Sequence, residues 1–177
     1  MDSINKNQEE KNHEDLSGSK ALKKLKELAD KKTCFFCTGI TAGSAMNTRP
    51  MSVQKLDDQG ILYFLSANDS HKNQEIILDP GVQMFFQGSA HSDFLSLSGK
   101  AEISTDKALI KELWEPLLKT WFTEGVEDPR ITALIVKPGE GYYWDTKHGN
   151  AIAFMKMAAG AIMGKTLDDS IEGEIHT

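Results

Sequence analysis

Two stretches decide how this chain is read: RPMSVQKL at 49–56 and FLSANDSHK at 64–72. The first alternates like a strand, with Pro50 near its start, where a missing ladder N–H is tolerated. DDQG at 57–60 is a turn and ILYFLS at 61–66 the next strand, so the two predict a hairpin. A hairpin sets the start of one strand opposite the end of the next. Arg49 is therefore expected beside Ser66. SHKNQEIILD at 70–79 predicts a short helix capped by Ser70 and stopped at Pro80-Gly81. Lys72 then falls in the first helical turn, where the helix dipole disfavours a cation. A bound anion would reverse that penalty. Arg49 and Lys72 would supply charge-assisted donors, and the helix start its hydroxyl and free N–H groups. The same residues also read as solvated surface groups, and spacing alone does not choose between the two.

Working outward, SGSKALKKLKELADKK at 17–32 sets Leu22, Leu25, Leu28 and Ala29 at helical spacing, with Ser17 or Ser19 as cap. TCFFCTGI at 33–40, VQMFFQ at 82–87 and FLSLSGKAEIS at 94–104 read as strands. TDKALIKELWEPLLKTWF at 105–122 reads as a helix kinked at Pro116, with Thr105 or Asp106 as cap. On that reading Trp114 and Trp121, seven apart, share one face. ITALIVKPGEGYYWD at 131–145 reads as two short strands about a Pro-Gly turn, and GNAIAFMKMAAGAIMG at 149–164 as an apolar helix that needs a covering partner. Residues 1–17 read as a disordered polar lead, 18–165 as one domain, and 166–177 as a loose acidic tail. Strand follows strand in the first half. The expected fold is mainly β: a six-stranded antiparallel barrel with peripheral helices, rather than a doubly wound parallel sheet.

The 177 residues carry a formal net charge of −6, with no dense basic run, which argues against nucleic-acid binding. The two cysteines, Cys34 and Cys37, flank Phe-Phe inside a strand. They read as buried thiols rather than a redox or zinc pair, and as cysteines of a reducing cytoplasm. The polar start does not resemble a signal peptide, and no apolar run reaches the length of a membrane span. His91 falls in a turn. His148, beyond YYWD, is a candidate neighbour of a bound ring or substrate, since a neutral imidazole can give up a proton.

The ordered set TRPM, a strand ending FLS, SHK before a helix, SLSGKAEI, LWEPLLKTWFTEGVEDPR and YYWD resembles the FMN-binding split barrels of the pyridoxamine 5′-phosphate oxidase superfamily. It is most similar to the general stress protein branch, over about residues 18–165. The resemblance implies a split β-barrel that holds FMN at the interface of a homodimer. It implies that Arg49 and Lys72 pair with the phosphate, with Ser70 and His71 beside them. Pro50 and Met51 would lie along the isoalloxazine, Leu65 and Ser66 would line the same groove, and Trp144 would stand near the ring, often that of the second subunit. The dimer would also cover the apolar helix.

Three departures bear on activity. His71 replaces the second arginine of the oxidases, and Gln54 the lysine that closes their arginine strand. The Arg-x-His pair that follows their tryptophan is absent from DTKHGNAIAF at 145–154. These argue against pyridoxamine phosphate oxidation. Three readings stay open. One is an FMN-dependent oxidoreductase with NAD(P)H or a small organic substrate as partner. The second is a non-catalytic FMN store or stress-linked sensor. The third is a barrel that has changed its ligand to haem or a deazaflavin.

Overall fold

The computed structural model describes residues 12–39, 46–90, 92–163, 167 and 169–177. His91 lies outside them. The elements in chain order are β1 (Leu16–Ser17), α1 (Gly18–Ala29), β2 (Thr33–Thr38), β3 (Asn47–Ser52), β4 (Lys55–Leu56), β5 (Leu62–Ala67), α2 (His71–Leu78), β6 (Gly81–Gln87), β7 (Phe94–Ser104), α3 (Lys107–Leu113), β8 (Ile131–Thr146), α4 (Asn150–Met163) and β9 (Ser170–His176).

One sheet follows the order β1-β9-β8-β7-β6-β2-β3, and β5 joins it through β8. The path β5-β8-β7-β6-β2-β3 is the expected six-stranded antiparallel barrel. Alternation builds its inside. Phe36, Phe64, Met84, Leu95, Leu97, Leu134 and Val136 are buried in one core, with Phe36 and Phe64 edge to face at 5.2 Å. Leu25, Leu28 and Ala29 of α1 close over that core as their spacing predicts. A second cluster of Leu65, Ile110, Leu113, Phe122, Ile131 and Ala133 lies under α3.

Four sequence expectations are corrected. Residues 131–146 form one strand, not two. Pro138 and Gly139 produce a register shift opposite Leu97 and Gly99 rather than a turn. A Cβ on Gly99 would sit 2.8 Å from Val136 Cγ1 and 2.9 Å from Lys137 O, so only glycine fits this crossing. The kinked helix of 105–122 instead ends at Leu113, because Pro116 restarts the chain as a 3-10 turn, Pro116–Thr120. Trp114 consequently packs at the second cluster while Trp121 is 63% exposed, so the two do not share a face. The tail is not loose, for Ser170–His176 pair antiparallel with the second half of β8. Finally, RPMSVQKL and ILYFLS do not form a full hairpin. Only Lys55 and Leu56 pair with Tyr63 and Leu62, while β3 pairs with β2. Val53 N–H still donates to Lys32 O at 2.9 Å, so the chain stays committed to the β2 side through Val53 and its bonds to β5 begin only at Gln54.

The described part of the N-terminal lead is also held. Glu14 N–H donates to Glu172 O and Glu172 N–H to Asn12 O, each at 2.9 Å, and Leu16 pairs in parallel with Ile175. A Cβ on Gly173 would meet Glu14 O at 2.0 Å. Gly173→Ala is expected to push residues 12–17 off β9 and to cost about 2 kcal/mol. Denaturant unfolding and limited proteolysis of the N-terminal segment would check this.

Both cysteines are buried, and desolvation pushes the Cys34 thiol up to about 12. Cys34 is therefore not poised as a thiolate. Among the described residues no group of His, Cys, Asp or Glu could hold a metal, and no helix is long and apolar enough to cross a membrane.

Candidate functional site

The site forms where β5 ends and α2 begins. Ser66 is the last inward residue of β5, and Ser70 caps α2, its hydroxyl accepting from Asn73 N–H at 3.3 Å. Ser66 Oγ and Ser70 Oγ donate to Asn73 Oδ1 at 2.7 and 3.1 Å. Asn73 Nδ2 donates to Thr132 Oγ1 at 2.9 Å, which donates to Ser66 O at 2.9 Å. This closed network fixes the strand end, the helix start and β8 to one another.

Lys72 lies on top of it. Only 7% exposed, it donates through Nζ to Ser66 Oγ and, at 3.3 Å, to Ser70 Oγ. Among the described residues no carboxylate pairs with it. Burial lowers its pKa from 10.5 to about 8, and the Arg49 guanidinium nearby adds to the shift. Arg49 Nη2 lies 3.1 Å from Glu75 Oε2. Glu75 also takes hydrogen bonds from Thr38 and Asn47, and the Thr38 bond, then Arg49, holds its carboxyl below the ordinary range. Arg49 thus faces a carboxylate, while the buried Lys72 ammonium is left to hydroxyls alone. Such an arrangement fits a dianionic ligand at the helix N-terminus.

The hairpin expected to set Arg49 beside Ser66 is not formed, and Arg49 instead meets α2. The link is not a hairpin; it is α2, whose Glu75 reaches across to β2 and β3. The sequence reading missed Glu75, Asn73 and Thr132. Asn73 was accessible as the third residue of the helix that Ser70 caps, whose N–H the Ser70 hydroxyl takes; nothing local marks Glu75 or Thr132. Of the other expected residues, His71 is exposed at the rim, and Met51 packs against the main core. Leu65 points into the second cluster, away from Ser66.

Pro50 and Trp144 belong to the outer face of the sheet. Pro50 pairs across from Phe35, and Phe35 from Phe85. Phe35, Phe85, Phe94 and Trp144 line an open apolar groove of about 400 Å³. Phe35 is 57% and Trp144 43% exposed. On α4, Ile152, Phe154, Met155 and Met157 are exposed as well. His148 is not free in solvent: its Nδ1 lies 2.7 Å from Asp169 Oδ1, which Lys156 Nζ also approaches at 2.7 Å. Burial works to raise the Asp169 carboxyl, but the hydrogen bonds from Lys156 and His148 outweigh it and hold it at about 2.

Comparison with known proteins agrees with this architecture. The model of a family described as pyridoxamine 5′-phosphate oxidase like matches residues 20–168. Protein bli-3 of Neurospora crassa is 30% identical over 127 residues, which are 67% of this chain and 61% of that protein, so the chain spans about three fifths of this relative. A solved chain from Jannaschia sp. CCS1, assigned to general stress protein 26, superposes with a TM-score of 0.71 at 22% identity over 86% of this chain and 95% of its own. The general stress FMN/FAD binding protein of Xanthomonas citri superposes at 0.55 with 25% identity, over 67% of this chain and 82% of its own. The fold is the split β-barrel of these proteins, and the chain belongs to the pyridoxamine 5′-phosphate oxidase-like family.

Proposed function

We propose that the chain is an FMN-binding flavoprotein and acts as a homodimeric FMN-dependent oxidoreductase. The observation that carries the cofactor is buried Lys72, beside Arg49 at the start of α2 and without a carboxylate partner. Arg49, Lys72, Ser66 and Ser70 hold the phosphate. Pro50 and Met51 border the ring along β3, whose second edge pairs with no strand among the described residues. The flavin supplies hydride chemistry when bound; the protein positions it and excludes water. A second copy covers the outer aromatic face and the apolar surface of α4 and brings its Trp144 toward the ring. NAD(P)H is the electron donor to try first.

A second reading, a flavin carrier without turnover, draws on the groove itself. Its lining of Phe35, Phe85, Phe86, Gln87, Phe94, Leu95, Ser96 and Trp144 includes no titratable side chain. Steady-state oxidation of NADH or NADPH by the FMN-loaded protein separates the two. Absorption spectra during FMN titration test the cofactor, with perturbed flavin bands saturating at one per chain as the expected result. A Soret band in the purified protein would replace FMN with haem.

The pH dependence follows from Lys72. In the free folded protein it loses its proton near 8, against 10.5 in an unfolded chain. Between those values the unfolded chain binds the extra proton, so this group makes stability rise with pH across that window. A phosphate dianion restores the charged form. FMN affinity is therefore expected to fall as pH rises through about 8, by up to tenfold per unit. It also falls below about 6, where the phosphate takes up a proton. Fluorescence titrations from pH 5 to 10 would check both limbs.

A further inference from the structure

Three donors from β2 and β3 converge on the Glu75 carboxylate of α2. Asn47 Nδ2 donates to its Oε1 at 2.6 Å, Thr38 Oγ1 to its Oε2 at 2.5 Å, and Arg49 Nη2 to the same oxygen at 3.1 Å. Thr38 is buried, and the Arg49 and Glu75 side chains are mostly covered. The Thr38 bond above all holds the carboxyl below the ordinary range, so it is ionised at neutral pH. A strut between α2 and the sheet does not need that charge. A glutamine would offer Oε1 to Thr38 and Arg49 and its amide to Asn47, whose own carboxamide turns to accept it. The negative charge is therefore surplus to the fold, and it lies against the guanidinium whose charge reaches Lys72.

That placement bears on any phosphate seated between Arg49 and Lys72. Such a dianion must share Arg49 with a second anion, and in a partly buried site the repulsion between them is screened less than on an open surface. Thr38 and Asn47 hold Glu75 in place by its two shorter bonds. The bond to Arg49 is the longest of the three, and it is the one that a ligand replaces. We infer that Glu75 is a resident anion of the phosphate site: it occupies Arg49 in the free protein and weakens the hold on a phosphate, so that FMN is taken up and released rather than kept. The inference rests on the FMN reading above for its ligand. Riboflavin is FMN without the phosphate, so the influence of Glu75 falls on one of the two flavins and spares the other.

The test measures FMN, riboflavin and inorganic phosphate on the wild type, Glu75→Gln and Glu75→Ala. Both replacements suit a helix, and melting of the ligand-free proteins checks that they fold. Both variants are expected to bind FMN about tenfold more tightly than the wild type and to release it more slowly, with riboflavin affinity unchanged. Inorganic phosphate is expected to raise their melting temperatures more than that of the wild type. Equal or weaker FMN binding by Glu75→Gln overturns the resident anion and leaves Glu75 a strut. An equal gain for riboflavin does the same, since riboflavin has no phosphate to repel. Where no protein binds either flavin and phosphate still favours the variants, the FMN reading falls and the resident anion stands.

Discussion

Lys72→Met is expected to give a protein that melts several degrees higher than the wild type, yet holds FMN about 10–100-fold more weakly. The two effects share one cause. Lys72 is buried with only the hydroxyls of Ser66 and Ser70 as partners, and its proton is already loosened. An apolar side chain of similar length removes an uncompensated charge from the ligand-free protein. It also removes a charge-assisted bond to phosphate, about 1.5–3 kcal/mol. Arg49→Ala should weaken FMN binding on the same scale without the gain in stability. It takes away a cation that is already paired and leaves Glu75 to Thr38 and Asn47. Thermal melting of the apoproteins and flavin fluorescence titrations read both. Unchanged affinity in the two variants would move the phosphate elsewhere.

Phe35→Asp is expected to convert the proposed dimer into a folded monomer. Phe35 is largely exposed in the single chain, so its replacement costs that chain little. At the centre of an interface, a buried aspartate facing the aromatic groove is worth about 2–4 kcal/mol, roughly 30- to 1,000-fold in the dimer dissociation constant. Sedimentation velocity across a concentration series measures it. A wild-type chain that sediments as a monomer would dismiss the dimer, and a variant that stays dimeric would place the interface on another face.

Much of the fold was legible because it was written locally. Leu25, Leu28 and Ala29 marked one face of α1, Ser70 marked the start of α2, and period-two alternation marked β6 and β7. What was not legible depended on distant partners. Pro138-Gly139 looks like a turn until β7 supplies a continuous ladder on one side of it. The acidic tail looks loose until β8 offers a free edge. In the site, Arg49, Ser66, Ser70 and Lys72 stood out as basic and hydroxyl groups at strand and helix ends. Glu75 and Thr132 reach them only through the barrel's closure, and the face taken by Leu65 was decided by α3 packing beneath β5.

The pairing of β9 with β8 on one edge and with residues 12–17 on the other sets an order of events during synthesis. Residues 12–17 have their partners in 170–176, and Glu174 N–H meets Asp15 Oδ1 at 2.9 Å across 159 positions of sequence. Residues 12–17 must therefore wait until 170–176 have been made before they can pair. Contacts so distant in sequence form slowly. The barrel can assemble first, and residues 12–17 settle onto its side only once β9 has paired with β8.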